Sequence, residues 1–405
     1  MRLQTLTMAL AAALSLQAVN VATTAGRLRA DLDGTTPATI TDLAVVGTLD
    51  ARDFRFIADS MPALTSLNLG GVDIVPYKNA GTPTIAMQHD FEADALPTVS
   101  LMAKPLTSLV LPQSLRVIGE AALAGCTSLK TITLPETLDS IGPYAFAGCT
   151  ALEKVELPAA VCVIGDGAFA YCSALKSVTV KSGSRLHSVG RHAMADCPAL
   201  ATVNLGNRLT RLGEGALAGT AITALDMSKL TGLTTIDGWT AVGAPIKAAV
   251  LPPAVVNVGD GTLFNAREIT TLEIPTTVEY IGNYAMANNR GLQTIVTRAK
   301  TVPALGEDVW WIVDQEHVTL RVPAGTIDDY SNAAQWRFFT IVEDAVKGDV
   351  NQDGNVDVGD VNAVLSIILS GGTADADLHD RADVNNDGTI DVGDVNAILT
   401  IILRG

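Results

Sequence analysis

The sequence predicts an α/β repeat protein: a stack of coils of about 23 residues each, followed by a small all-α domain. Two observations carry that reading. An Ile-Gly pair or its equivalent recurs at Ile118-Gly119, Ile141-Gly142, Ile164-Gly165, Val189-Gly190, Leu212-Gly213, Val258-Gly259 and Ile281-Gly282, with Ile236-Asp237 in the remaining slot, at intervals of 22 to 25 residues. One such coil cannot bury its own apolar face, but neighbours stacked on it can. The second observation is a 21-residue unit written twice near the C-terminus. Asp349 to Leu369 reads DVNQDGNVDVGDVNAVLSIIL and Asp383 to Leu403 reads DVNNDGTIDVGDVNAILTIIL, with five mild differences.

Taken in order, the chain opens with Arg2 and the apolar run Leu6 to Leu16, which predict an export signal over residues 1–22. The run is too short to span a bilayer. Cleavage after Ala18 and cleavage after Ala22 both fit. No later segment is long and apolar enough to be transmembrane. Residues 23–105 are expected to cap the stack, and their segment Leu64-Thr65-Ser66-Leu67-Asn68-Leu69 is itself repeat-like. Residues 106–300 hold the repeats, clearest in LPQSLRVIGEAALAGCTSLKTIT from Leu111, LPETLDSIGPYAFAGCTALEKVE from Leu134 and LPAAVCVIGDGAFAYCSALKSVT from Leu157. The spacing of Leu129, Ile132 and Leu134, repeated at Leu152, Val155 and Leu157, predicts a turn entering a short strand. A following proline such as Pro135 or Pro158 ends the ladder because it has no N–H to give. The glycine of each Ile-Gly pair is expected in a conformation closed to side chains. Residues 301–347 are expected to close the stack, with a last strand and turn in 318–326.

This pattern resembles the BspA-type leucine-rich repeat of bacterial surface proteins, carried by the L-P…I-G…A-F-x-G-C-x-x-L run over about Leu106 to Val296. The resemblance implies a leucine-rich-repeat solenoid. It also implies adhesion or binding, with a host or bacterial surface protein or a glycan as ligand.

The doubled unit in residues 348–405 reads as two calcium loops. A hard cation needs many oxygens to replace its hydration shell. The EF-hand pattern supplies them from side chains at loop positions 1, 3, 5, 9 and 12 and a backbone carbonyl at 7, with glycine at 6 for the sharp turn. The first copy offers Asp349, Asn351, Asp353, the carbonyl of Asn355, Asp357 and Asp360, with Gly354 at the turn. The second offers Asp383, Asn385, Asp387, the carbonyl of Thr389, Asp391 and Asp394, with Gly388 at the turn. Two calcium ions are expected. Position 12 is Asp rather than Glu, and only an exiting helix is expected at each loop, with none preceding. In this the segment resembles a type I dockerin module, a paired F-hand. The resemblance implies docking onto a protein partner such as a cohesin-like module. It places recognition at positions 10 and 11, which here are Val358, Gly359, Val392 and Gly393. Clostridial dockerins carry a basic pair further along the helix, where this chain has Leu365 and Ser366.

Net charge is −16 with 48% apolar but only 4% aromatic residues, which favours a core of Leu, Ile, Val and Ala and excludes a nucleic-acid footprint. Of the five cysteines, Cys126, Cys149, Cys172 and Cys197 recur once per repeat. Identical positions in stacked coils point in parallel, so buried free thiols are favoured over a disulfide or metal ladder. The histidines lack zinc-ligand spacing, and no G-x-S-x-G elbow, phosphate loop or dinucleotide fingerprint is present. The sequence thus favours a secreted, non-enzymatic binding protein. A structural surface protein with the tail as a stability cap is the first alternative. A dockerin-bearing carbohydrate-active enzyme is the second, since paired carboxylates can in principle sit on a concave face.

Overall fold

The computed structural model describes residues 17–77, 92–344, 347–351, 355–371 and 376–404. It divides into two compact units, Met1–Ile222 with Leu230–Ala244, and Thr223–Lys229 with Pro245–Gly405. Both are parallel β-solenoids of leucine-rich-repeat coils, and the second also holds the helical tail.

The first unit starts with strand β1 (Gln17–Thr23), helix α1 (Leu28–Asp31), strand β2 (Ile40–Leu49), helix α2 (Ala51–Ser60) and strand β3 (Ser66–Ile74). The three strands and Ser108–Val110 form one parallel sheet. Residues 17–22, assigned from sequence to the signal segment, make most of β1; residues 1–16 lie outside the described residues. Buried Asp53 ties this start together. Its carboxylate accepts from the amides of Gly26 at 2.6 Å, Leu28 at 3.0 Å and Asp50 at 3.1 Å, and Asp50 completes a capping box on α2. At the other end of α2, buried Lys104 donates to the carbonyls of Ala58 at 2.7 Å and Met61 at 2.8 Å. A cation suits a helix C-terminus, although burial holds this ammonium below the usual lysine range.

The Ile-Gly pairs of this unit stack in register: Ile118, Ile141, Ile164, Val189 and Leu212 are successive partners, all buried. The glycines serve differently from the expectation. Their φ angles are not left-handed. Instead the preceding coil passes too close for a Cβ, which would stand 2.5 Å from the Pro143 nitrogen at Gly165 and 2.6 Å from the Arg191 nitrogen at Gly213. The left-handed residues are two others in each coil, for instance Tyr144 (φ 54°) and Gly148 (69°), then Gly167 (59°) and Tyr171 (61°), then His192 (51°) and Asp196 (54°). At the first of these slots a bulky side chain lies over a glycine of the next coil. A Cβ on Gly167 would meet the Tyr144 ring at 2.5 Å, and one on Gly215 the His192 ring at 2.3 Å. Strands form at Lys154–Leu157, Ser177–Val180 and Thr202–Asn204, as their spacing predicts. Between 129 and 134 no hydrogen-bonded strand forms, although Leu129 and Leu134 are buried.

Cys126, Cys149, Cys172 and Cys197 are fully buried and reduced. Each thiol donates to a carbonyl of the preceding coil: Leu101 at 3.2 Å, Leu123 at 3.2 Å, Phe146 at 3.2 Å and Phe169 at 3.1 Å. Asn289 fills the same slot in the second unit, donating to Leu263 at 3.1 Å.

The second unit carries a six-stranded parallel sheet running through Ala224–Asp226, Ala248–Val250, Thr271–Ile274, Thr294–Thr297, Thr319–Val322 and Thr340–Glu343. Its last coils concentrate the scarce aromatics. Helix α3 (Ile327–Asn332) brings in Tyr330, whose hydroxyl donates to Ala299 at 2.8 Å. Trp336 donates its indole N–H to Pro303 at 3.0 Å and packs against Trp310 at 5.3 Å. The tail has helices α4 (Val358–Leu369), α5 (Ala376–Ala382) and α6 (Val392–Arg404) around Val350, Val364, Ala382, Val395 and Ile398. Helix α5 directly precedes the second loop, which corrects the expectation that neither loop has an entering helix. Apart from Leu378 its residues are small or polar, so it lacks the apolar periodicity that would announce it. No described helix is long and apolar enough to cross a membrane.

Two outcomes are expected. Gly165→Ala should destabilise the solenoid by about 1–3 kcal/mol, because the clash is with backbone; an unchanged urea midpoint would contradict the steric column. Burial pushes the Cys126 and Cys149 thiols up to about 12 from an ordinary value near 9. Both should therefore resist maleimide at pH 8 until unfolding. Because the folded-state pKa is raised, stability is full below pH 9 and falls as pH climbs towards 12. Fast native labelling of both thiols would overturn this.

Candidate calcium and docking site

The two loops are built alike because each ends as the first turn of a helix. Asp357 caps α4, accepting from the Gly359 amide at 2.6 Å, and Asp391 caps α6, accepting from the Gly393 amide at 2.6 Å. Asp360, three residues on, accepts from the amides of Asn351 at 3.1 Å and Asp357 at 2.8 Å. Asp394 repeats this with Asn385 at 3.1 Å and Asp391 at 2.9 Å. The carboxylates at positions 1 and 12, Asp349, Asp360, Asp383 and Asp394, are all buried, whereas Asp357, Asp387 and Asp391 are exposed.

The second loop is described throughout. Asp383 accepts from the amides of Asp387 at 3.1 Å and Gly388 at 3.0 Å. The turn passes through Gly388 at φ +84°, the conformation the position-6 glycine is there to provide. The Thr389 hydroxyl and amide, and then Asn385, hold the Asp387 carboxylate below its usual range. In the first loop Asp349, Asn351, Asn355, Asp357 and Asp360 are described, while Asp353 and Gly354 lie outside the described residues. Among the described residues no three His, Cys, Asp or Glu side chains gather into a metal cluster; the carboxylates are turned onto loop amides. The donor set is all oxygen, and Asp360 and Asp394 are buried carboxyl groups whose hydrogen bonds here come from backbone amides. That chemistry suits a hard divalent cation such as calcium.

Position 11 has a structural reason for glycine. A Cβ on Gly359 would stand 2.7 Å from the Asn351 side-chain amide, and one on Gly393 would stand 2.7 Å from that of Asn385. The adjacent Val358 and Val392 are each 61% exposed. They are joined by residues that the apolar runs hid. Leu365 and Leu369 lie seven and eleven positions after Val358, hence on one helical face, and Leu399 and Leu403 repeat this after Val392. Leu369 and Leu403 are each 85% exposed. The tail thus turns two matching apolar stripes away from its core. Sequence alone did not separate them from the residues that pack inside, because α4 is apolar on nearly every face.

With this geometry in view, the comparisons with known families match the repeats and the tail separately. The family described as "BspA type Leucine rich repeat region" matches residues 96–223 and 218–330, more than half of the sequence. The chain belongs to the BspA-type leucine-rich repeat family. Residues 347–402 match the dockerin type I domain. Both are binding modules typical of extracellular or cell-surface proteins, and no catalytic domain is matched. No curated protein matches the chain. Among solved structures it is similar to the pneumococcal vaccine antigen PcpA, at 16% identity over 62% of this chain and 83% of that one, with a TM-score of 0.36. It is similar to a leucine-rich repeat protein from Bacteroides ovatus at 18% identity over 76% and 85%, with a TM-score of 0.29. A leucine-rich cell surface protein from Faecalibacterium prausnitzii is similar at 20% identity over 64% and 79%, with a TM-score of 0.31.

Replacing Asp394 with Ala should leave the Asn385 and Asp391 amides without their acceptor, at a cost of about 1–3 kcal/mol. Hydrogen exchange along α6 should then quicken at least about fivefold; unchanged protection would mean that this carboxylate does not hold the loop.

Proposed function

We propose that this is a secreted binding protein of the cell surface, with a leucine-rich solenoid that takes a protein or glycan ligand and a calcium-loaded dockerin tail that docks it to a protein partner. The carrying observation is the pair of matching exposed apolar stripes on α4 and α6, set beside two loops of oxygen donors. Their residues, Val358, Leu365 and Leu369 with Val392, Leu399 and Leu403, would meet an apolar patch on a cohesin-like module. Gly359 and Gly393 let the loops close beneath them. Two calcium ions would be held, one by Asp349, Asn351, Asp353, the Asn355 carbonyl, Asp357 and Asp360. Asp383, Asn385, Asp387, the Thr389 carbonyl, Asp391 and Asp394 would hold the other. When bound, each ion offsets the repulsion of four carboxylates. In this reading β1 and the residues after it up to 105 cap the solenoid, 106–300 carry its repeats, 301–347 close it and 348–405 form the docking module.

The test uses the full chain and a panel of purified cohesin-type modules. Binding is expected in millimolar calcium, should disappear in chelator, and should weaken at least tenfold in the double variant Val358→Asp, Val392→Asp. Binding indifferent to chelator, or none across the panel, would favour a tail that serves only the stability of the chain.

A further inference from the structure

We infer that the export signal is cut between Ala18 and Val19, so that the mature chain begins at Val19. This rests on the secretion reading above and concerns a site that composition leaves open between Ala18 and Ala22. Strand β1 pairs with β2 in parallel, Val19 opposite Leu43, Val21 opposite Val45 and Thr23 opposite Gly47. The register runs without a break from Ala18 onward and shifts between Gln17 and Ala18, where the partner jumps from Ile40 to Asp42. Alternating burial also starts at Val19: Val19 and Val21 are half-buried, Asn20 and Ala22 exposed. The far end of the strand is anchored. The Thr23 hydroxyl donates to Asp31 at 2.7 Å, and the Thr23 carbonyl comes within 2.2 Å of where a Cβ would stand on Gly47, at φ +106°. Only a glycine there lets β1 lie this close.

A cut after Ala22 would remove all of β1 except its anchor and leave β2, with buried Leu43 and Val45, as an uncovered edge. A cut after Ala18 removes only Gln17 and Ala18 from the strand, both exposed and at its irregular end. Ala18 supplies a small residue before the scissile bond just as Ala22 would, so the strand register decides between the two cuts. The reaction is hydrolysis of the Ala18–Val19 amide: water gives its hydroxyl to the Ala18 carbonyl carbon and a proton to the departing Val19 nitrogen.

The full chain is expressed in a bacterium with a periplasm, and the exported protein is read by N-terminal sequencing and intact mass. Val19 is the expected first residue. A chain beginning at Thr23, or at any other internal residue, overturns this inference and leaves the export reading standing. An uncleaved chain beginning at Met1 overturns both. Independently, chains 19–405 and 23–405 made without the signal are compared by thermal unfolding. The shorter is expected to melt at least about 4 °C lower; equal melting temperatures would show that β1 does not hold the first coils and overturn the structural argument.

Discussion

Successive coils are joined by parallel backbone hydrogen bonds, and this sets a rise of about 4.8 Å from one coil to the next. Every position in a repeat then faces its own copy at that distance. Where backbone comes closest to backbone, the copy is glycine, as at Gly142, Gly165 and Gly190, each hard against the coil before it, while Asp237 takes the slot in one coil. Where an inward donor meets a carbonyl, a thiol fits, as at Cys126 to Cys197. The same slot accepts Lys104 in the first unit and Asn289 in the second, each donating to a carbonyl, and elsewhere the small buried Ala244 and Ala266. The ends of the stack cannot use neighbours on one side. Asp53, α2 and Lys104 do that work at the start, and Tyr330, Trp336 and Trp310 do it at the last coils.

The tail obeys a different constraint. Its core is small, built around Val350, Val364, Ala382, Val395 and Ile398, and much of the apolar surface of α4 and α6 is left outside it. Buried carboxylates at both ends of each loop are what the fold is arranged around, and the loop amides turn inward to meet them. The module leaves these apolar residues exposed and relies on buried carboxylates to order its loop backbone.

The solenoid was legible because its period and its inward Leu, Ile and Val positions are properties of spacing alone. So were the buried, unpaired thiols and the two matching loops that each lead into a helix. What spacing does not reveal is what sits across from a residue. The Ile-Gly glycines answer to a neighbouring coil and not to their own φ. Gly359 and Gly393 answer to an asparagine eight residues earlier. The stripes at Val358 and Val392 became visible only when the rest of each apolar helix had been packed, and α5 was hidden because almost nothing on it is apolar. The first strand was masked by its composition, since a run of Val, Asn and Ala next to an apolar leader reads as part of that leader.

The pairing of Tyr144 with Gly167 and of His192 with Gly215 reaches beyond packing. Over these coils the packing unit is therefore a doublet. Gain or loss of a single coil would set ring upon ring, or leave a hole beneath a glycine, whereas gain or loss of a doublet would leave the alternation intact.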